Sequence, residues 1–148
     1  MRRDAHGFTL LELLTALTLI AVLSATAIPD LRRTLAAWRV DSAARQVVMD
    51  LKLARALAIV GGATARVHFS APGTSYQHER QRGGAYTATS PPTRLPDGVA
   101  IADCTAAGDG VGFRPRGLAA TFGTITLRDG YGNERRVIVD IAGRMRIQ

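Results

Sequence analysis

The sequence predicts an α+β protein: a long N-terminal helix, membrane-like in its first half and amphipathic in its second, packed on a small antiparallel β domain. Three observations carry this. Residues 8–28 hold a single ionisable side chain, Glu12. Residues 40–58 place apolar side chains at alternating spacings of four and three. From residue 64 onward, short alternating apolar runs are separated by stretches rich in glycine, proline, serine and threonine.

Taking the elements in order, "FTLLELLTALTLIAVLSATAI" (residues 8–28) is predicted to be a helix. At about 1.5 Å per residue it spans ~31 Å, the thickness of a bilayer's hydrocarbon core. Three readings compete. Arg2 and Arg3 with Ala25-Thr26-Ala27 fit a removable secretory signal, and the apolar run fits a plain anchor. Glu12 fits neither, because an acid in mid-membrane costs roughly 2.5–3.5 kcal/mol on insertion scales. A third reading must give that carboxylate a partner.

Past Pro29 a second helical pattern runs to about Val60. Val40, Ala44, Val47, Leu51, Ala54 and Ala58 draw one stripe for a core. Asp30 suits the first turn, Asp41 and Arg45 can pair at i, i+4, and Gly61-Gly62 end the helix.

The β domain follows. "TARVHFS" (residues 64–70) puts Ala65, Val67 and Phe69 on one face. Residues 71–98 read as a hairpin or two with a long connection, and "VAIAD" (99–103) as a strand. "VGFRPRG", "GTITLRD", the turn "GYGNE", "RRVIVDI" and "GRMRIQ" form an antiparallel meander with one face against a core. Ile125 and Leu127 share a face, as do Val137, Val139 and Ile141.

Catalytic and metal patterns are weak or absent. His68 and His78 read as surface or edge histidines without a convergent carboxylate. "GDGVG" (108–112) lacks the strand-to-helix setting of a dinucleotide loop and reads as a flexible turn. "DGYGNE" (129–134) offers oxygen ligands but not the calcium-loop spacing, so a hairpin turn explains it better. Cys104 is the only cysteine, which excludes an intrachain disulfide. No enzyme, cofactor, metal or small-molecule substrate is expected. The 148 residues allow one domain with a modest core, and the net charge is +7. Only Lys52 among the 19 basic residues is a lysine.

The stretch Gly7-Phe8-Thr9-Leu10-Leu11-Glu12 resembles the processing site of type IV prepilins and type II secretion pseudopilins. The resemblance implies that a membrane-embedded prepilin peptidase cuts between Gly7 and Phe8 and methylates the new amine of Phe8. It implies that Glu12 pairs with the N-terminal amine of a neighbouring subunit during assembly. Two opposite charges attract strongly in a low-dielectric medium, where either alone is penalised. Pro29 matches the family's helix-kinking proline. Arg32, Arg33 and Arg39 outnumber the leader arginines, so charge bias alone favours the opposite orientation; the motif is given precedence.

At the other end, Phe113 to Gly117 and the closing Gly143-Arg144-Met145-Arg146 are similar to the C-terminal domain of GspH/FimT minor pilins and pseudopilins. That resemblance implies a type IV pilin-like fold with a leader (1–7), a transmembrane or filament-core helix (8–28), an amphipathic extension (29–62) and a β domain (63–148). It implies a non-enzymatic subunit of a type II secretion or type IV pilus-like filament, acting in assembly or at the tip. Its partners would be other pilin or pseudopilin subunits and the prepilin peptidase, and its place the inner membrane, single-pass, with the C-terminal domain in the periplasm. The alternative is a DNA-binding minor pilin for DNA uptake. In the FimT-like branch the closing motif contacts DNA, which falls here on Arg144 and Arg146. Alternation puts both on one face of the last strand, with Met145 and Ile147 toward the core and Arg136 nearby. Residues 111–148 hold seven arginines against three acids, but no interleaved aromatic for stacking single strands.

Overall fold

The computed structural model describes residues 9–148. The processing residues Gly7 and Phe8, with the rest of the leader, lie outside the described residues. The chain divides into two units, Met1–Leu35 and Ala36–Gln148.

One helix, α1, spans Leu10–Gly61 and runs on through Pro29. Proline has no N–H to donate, so α1 forgoes one backbone hydrogen bond there. In the first unit the helix starts behind Thr9, whose Oγ1 accepts the Glu12 amide at 3.2 Å. Thr15 and Thr18 donate their hydroxyls to the carbonyls of Glu12 and Thr15, at 2.9 and 2.8 Å. These two hydroxyls are thereby satisfied within the helix, as a segment without water around it would require.

In the second unit every residue of the stripe from Val40 to Ala58 is buried, and Ala43 with it. The stripe joins one core with two antiparallel sheets. The first sheet contains β1 (Ala65–Phe69), β2 (Ser75–Arg82), β3 (Ala85–Ala88), β4 (Thr93–Arg94), β6 (Gly110–Phe113) and β7 (Ala119–Thr121), in the order β3-β2-β1-β6-β7 with β4 also on β2. The second contains β5 (Val99–Cys104), β8 (Gly123–Asp129), β9 (Glu134–Val139) and β10 (Met145–Ile147), in the order β10-β9-β8-β5. Alternation sends Ala65, Val67 and Phe69 inward from β1, and Ile125, Leu127, Val137 and Val139 inward from β8 and β9. The observed architecture is the predicted one, a long helix on an antiparallel β domain.

Residues 71–98 resolve into a single hairpin, β2–β3, and the short β4. Its two-residue loop is Gly83-Gly84, with φ of +58° and +89°, the left-handed pair that a tight hairpin needs. Four further expectations are corrected. Residues 111–113 do not open the C-terminal meander: they lie in β6 of the first sheet, paired with β1 and β7, and β8 pairs with β5 instead. Ile141 is 67% exposed rather than aligned with Val137 and Val139, because β9 ends at Val139 and the chain turns at Asp140. Gly110 and Gly112 belong to β6, not to a flexible turn. His68 is half-buried on β1, a central strand, and His78 is buried.

Candidate functional site

The first site residue is Glu12, in the opening turn of α1. The unpaired amides at a helix start favour a carboxylate there, and the Thr9 cap fixes that turn. Around it Leu10, Leu11, Leu13, Leu14 and Leu17 are exposed, Leu10 by 79%. None of the most apolar 18-residue window of α1 is buried, and the helix is long and apolar enough to cross a membrane. Such a surface is stable only against lipid or other helices. Among the described residues Glu12 forms no ion pair, so the segment carries an uncompensated carboxylate within an unburied apolar face.

The second candidate is the outer face of the β10–β9–β8 sheet. Arg146 stands opposite Ile138, and Arg136 exchanges backbone hydrogen bonds with Gln148 at 2.9 Å each. Directly opposed residues share a face, so Arg136 and Arg146 are diagonal neighbours there. Arg144 is not on the strand; it closes the turn before β10 and holds Asp140 at 2.8 Å. Arg136 holds Glu134 at 2.7 Å, and Glu134 also takes Arg128 at 2.7 Å. Hydrogen bonds from Arg128 and Arg136 keep Glu134 below its ordinary range, and those from the Arg144 amide and guanidinium do the same for Asp140. Of the three arginines read as a possible DNA contact, only Arg146 makes no ion pair among the described residues. Met145 packs against the core as expected, but Ile147 is 37% exposed because β10 is an edge strand three residues long.

Between α1 and β2 lies a polar cluster that residue patterns did not reveal. The Tyr76 hydroxyl donates to Asp50 Oδ2, and Gln46 Nε2 donates to the Tyr76 oxygen at 3.1 Å. His78 Nε2 stands 3.5 Å from Asp50 Oδ1, so His78 does face a carboxylate. Burial, then the Asp50 carboxylate, push the Tyr76 hydroxyl well above its usual range. The tyrosine therefore acts as a fixed donor that ties helix to sheet. Asp129 is likewise consumed locally: its oxygens accept the amides of Tyr131 and Asn133 at 2.9 Å and the Asn133 side chain at 2.7 Å. Burial raises its carboxyl, but these hydrogen bonds outweigh that and hold it low. The hairpin reading of residues 129–134 holds. No group of three or more metal-ligating side chains is present among the described residues. Cys104 is buried, which pushes its thiol up and away from reactivity.

Sequence reasoning also missed Lys52, exposed on α1, and Arg55, half-buried on it, which line a cleft of about 430 Å³ with Arg144 and Arg146. Their sole signal was the position beside the buried stripe.

An apolar, unburied helix with one acid near its start, continuing into an amphipathic half that packs on antiparallel sheets, defines the pilin class of filament subunit. The family model for type II transport protein GspH matches residues 43–143, and that for the prokaryotic N-terminal methylation motif matches residues 2–28. The chain belongs to the GspH family: it is a minor pseudopilin of the type II secretion and type IV pilus group, with a prepilin processing motif, and it is structural rather than enzymatic. The fold is similar to that of the minor pseudopilin EpsH from the type 2 secretion system of Vibrio cholerae, with a TM-score of 0.62 at 14% identity over 74% of this chain and 96% of that one. It is also similar to the type IV minor pilin FimU of Pseudomonas aeruginosa, with a TM-score of 0.59 at 16% identity over 73% of this chain and 91% of that one. No curated protein matches the chain.

Proposed function

We propose that the protein is a minor subunit which helps start or cap a type II secretion or type IV pilus-like filament. It waits in the inner membrane as a single-pass protein with its β domain in the periplasm. A prepilin peptidase removes residues 1–7 and methylates the amine of Phe8. Glu12 then pairs with the amine of a neighbouring subunit as the apolar half of α1 leaves lipid for the filament core. The observation that carries this reading is the contrast within α1: residues 10–35 expose their leucines, while the stripe from Val40 onward is fully engaged by the chain's own core. The first half is therefore open to other helices on every face, whereas the second already commits one face to the chain's own core.

The test is fractionation of sheared filaments from cells that make the other subunits. The wild-type chain is expected among the filaments as a minor component. Retention wholly in the membrane, with processing intact, would remove the assembly role. DNA contact through Arg136, Arg144 and Arg146 is left out of the proposal, since two of the three guanidinium groups already hold carboxylates.

A further inference from the structure

Five cations, three in the C-terminal part of the β domain and two on α1, make no ion pair among the described residues. Residues 111–148 carry three acids, and all are engaged: Asp129 in its own turn, Glu134 with Arg128 and Arg136, and Asp140 with Arg144. Arg135 draws on Asp41 of α1. That leaves Arg114, Arg116 and Arg146, together with Lys52 and Arg55 of α1, without an ion pair among the described residues. Arg55 is not a freely moving surface side chain. Its Nε is buried with no partner, and its guanidinium reaches the Gly143 carbonyl at only 3.4 Å. The turn that covers it needs glycine: Gly143 has φ +76°, and a Cβ there would stand 2.8 Å from the Gly117 carbonyl oxygen. Arg55 is thus held in the cleft that Lys52, Arg144 and Arg146 also line.

On the other side of the same turn the surface is apolar. Leu118, Phe122 and Ile141 are 49%, 52% and 67% exposed and, with Arg114, line a second hollow of about 360 Å³. Adjoining residues of one segment line the two hollows, 141–142 the apolar one and 143–146 the cationic one, and the Ala119 amide ties β7 to that segment by donating to the Ile141 carbonyl at 3.2 Å.

We propose that this composite surface docks an acidic protein segment. Apolar side chains of the segment would cover Leu118, Phe122 and Ile141, and its carboxylates would take the Arg55–Arg146 cleft. Arginine binds carboxylates bidentately, and an exposed apolar patch rimmed by charge is the anatomy of a protein interface. A nucleic acid would satisfy the cations but leave the three apolar side chains in water, because backbone contacts are electrostatic.

The test uses the full-length chain in phosphatidylcholine nanodiscs and fluorescence anisotropy. The probes are a 12-residue peptide mixing glutamate with leucine and phenylalanine, its glutamine counterpart, and a 12-base-pair duplex. The acidic peptide is expected to bind, and the glutamine peptide to bind at least tenfold more weakly. Arg146→Gln is expected to cost about tenfold, and Phe122→Ser with Ile141→Ser at least fivefold, with circular dichroism unchanged. Arg146 is exposed and unpaired, so its variant reports on the surface even if Arg55→Gln disturbs the fold. Three results would overturn the proposal. The acidic peptide does not bind. The duplex binds through Arg146 without regard to Phe122 and Ile141. Or the chain self-associates through the same residues, which would make the occupant a second copy.

Discussion

Asp140 grips Arg144 twice: the Arg144 amide donates to Oδ1 at 2.9 Å and its Nε donates to Oδ2 at 2.8 Å. This pair, with the Gly143 amide on the Asp140 carbonyl at 2.9 Å, forms the turn that brings β10 onto β9. An arginine that looks like a free phosphate ligand in the sequence is a structural brace in the fold. Asp140→Ala is expected to loosen β10, seen as faster amide exchange at Arg146 and Gln148, while the rest of the sheet keeps its protection. Unchanged exchange at those two amides would deny the brace.

Acid should weaken the same region. Asp129, Glu134 and Asp140 are all held below their ordinary values of 3.8, 4.5 and 3.8. A carboxyl lowered by folding stabilises fully above its unfolded value, and that contribution is lost as the pH falls through the folded one. The melting temperature of the full chain is therefore expected to be flat from pH 7 to about 5 and to fall below about 4. Asp129→Asn is expected to reduce that fall, and an identical acid limb in the variant would exclude Asp129 as a source.

The core and the polar cluster predict a ranking. Leu51 is fully buried in the stripe, so Leu51→Ala is expected to cost about 2–5 kcal/mol. Tyr76→Phe removes the donor to Asp50 but keeps the ring against Phe69, whose centroid is 5.7 Å away. It is expected to cost less, roughly 1–2 kcal/mol. Chemical denaturation of the full chain measures both, and the reverse order would contradict the account of the core.

The helix stripe and the strands at residues 65–69 and 123–139 were legible because period and burial coincide there. Ile141 was misread because alternation continues in the letters after the strand has ended; what stops β9 is the Asp140 side chain turning back on Arg144. The Tyr76–Asp50–His78 cluster was hidden because its members lie 26 and 28 residues apart and meet only once β2 packs on α1. The DNA reading suffered similarly, since a count of arginines does not show which acids reach them. Glu12 and Gly7 stood out for the opposite reason: their signal is local.

Glu12 makes a divided prediction. Glu12→Ala removes the one charge from an unburied apolar segment, so insertion of the helix is expected to improve. Incorporation into filaments is expected to fall at least tenfold, because the neighbouring amine loses its partner. Membrane and sheared-filament fractions compared by immunoblot separate the two effects. Normal recovery in filaments would take from Glu12 the role proposed for it.

Every step of the proposed function begins with cleavage between Gly7 and Phe8, so the mature N-terminus tests the account most directly. The measurement is mass spectrometry of the N-terminal peptide, after expression of the full chain in a host that contains a prepilin peptidase. The account predicts a chain beginning at N-methylated Phe8, and uncleaved precursor for Gly7→Arg. A chain beginning at Ile28, after Ala25-Thr26-Ala27, would contradict it, because ordinary signal cleavage would leave no apolar helix and no Glu12 to assemble with.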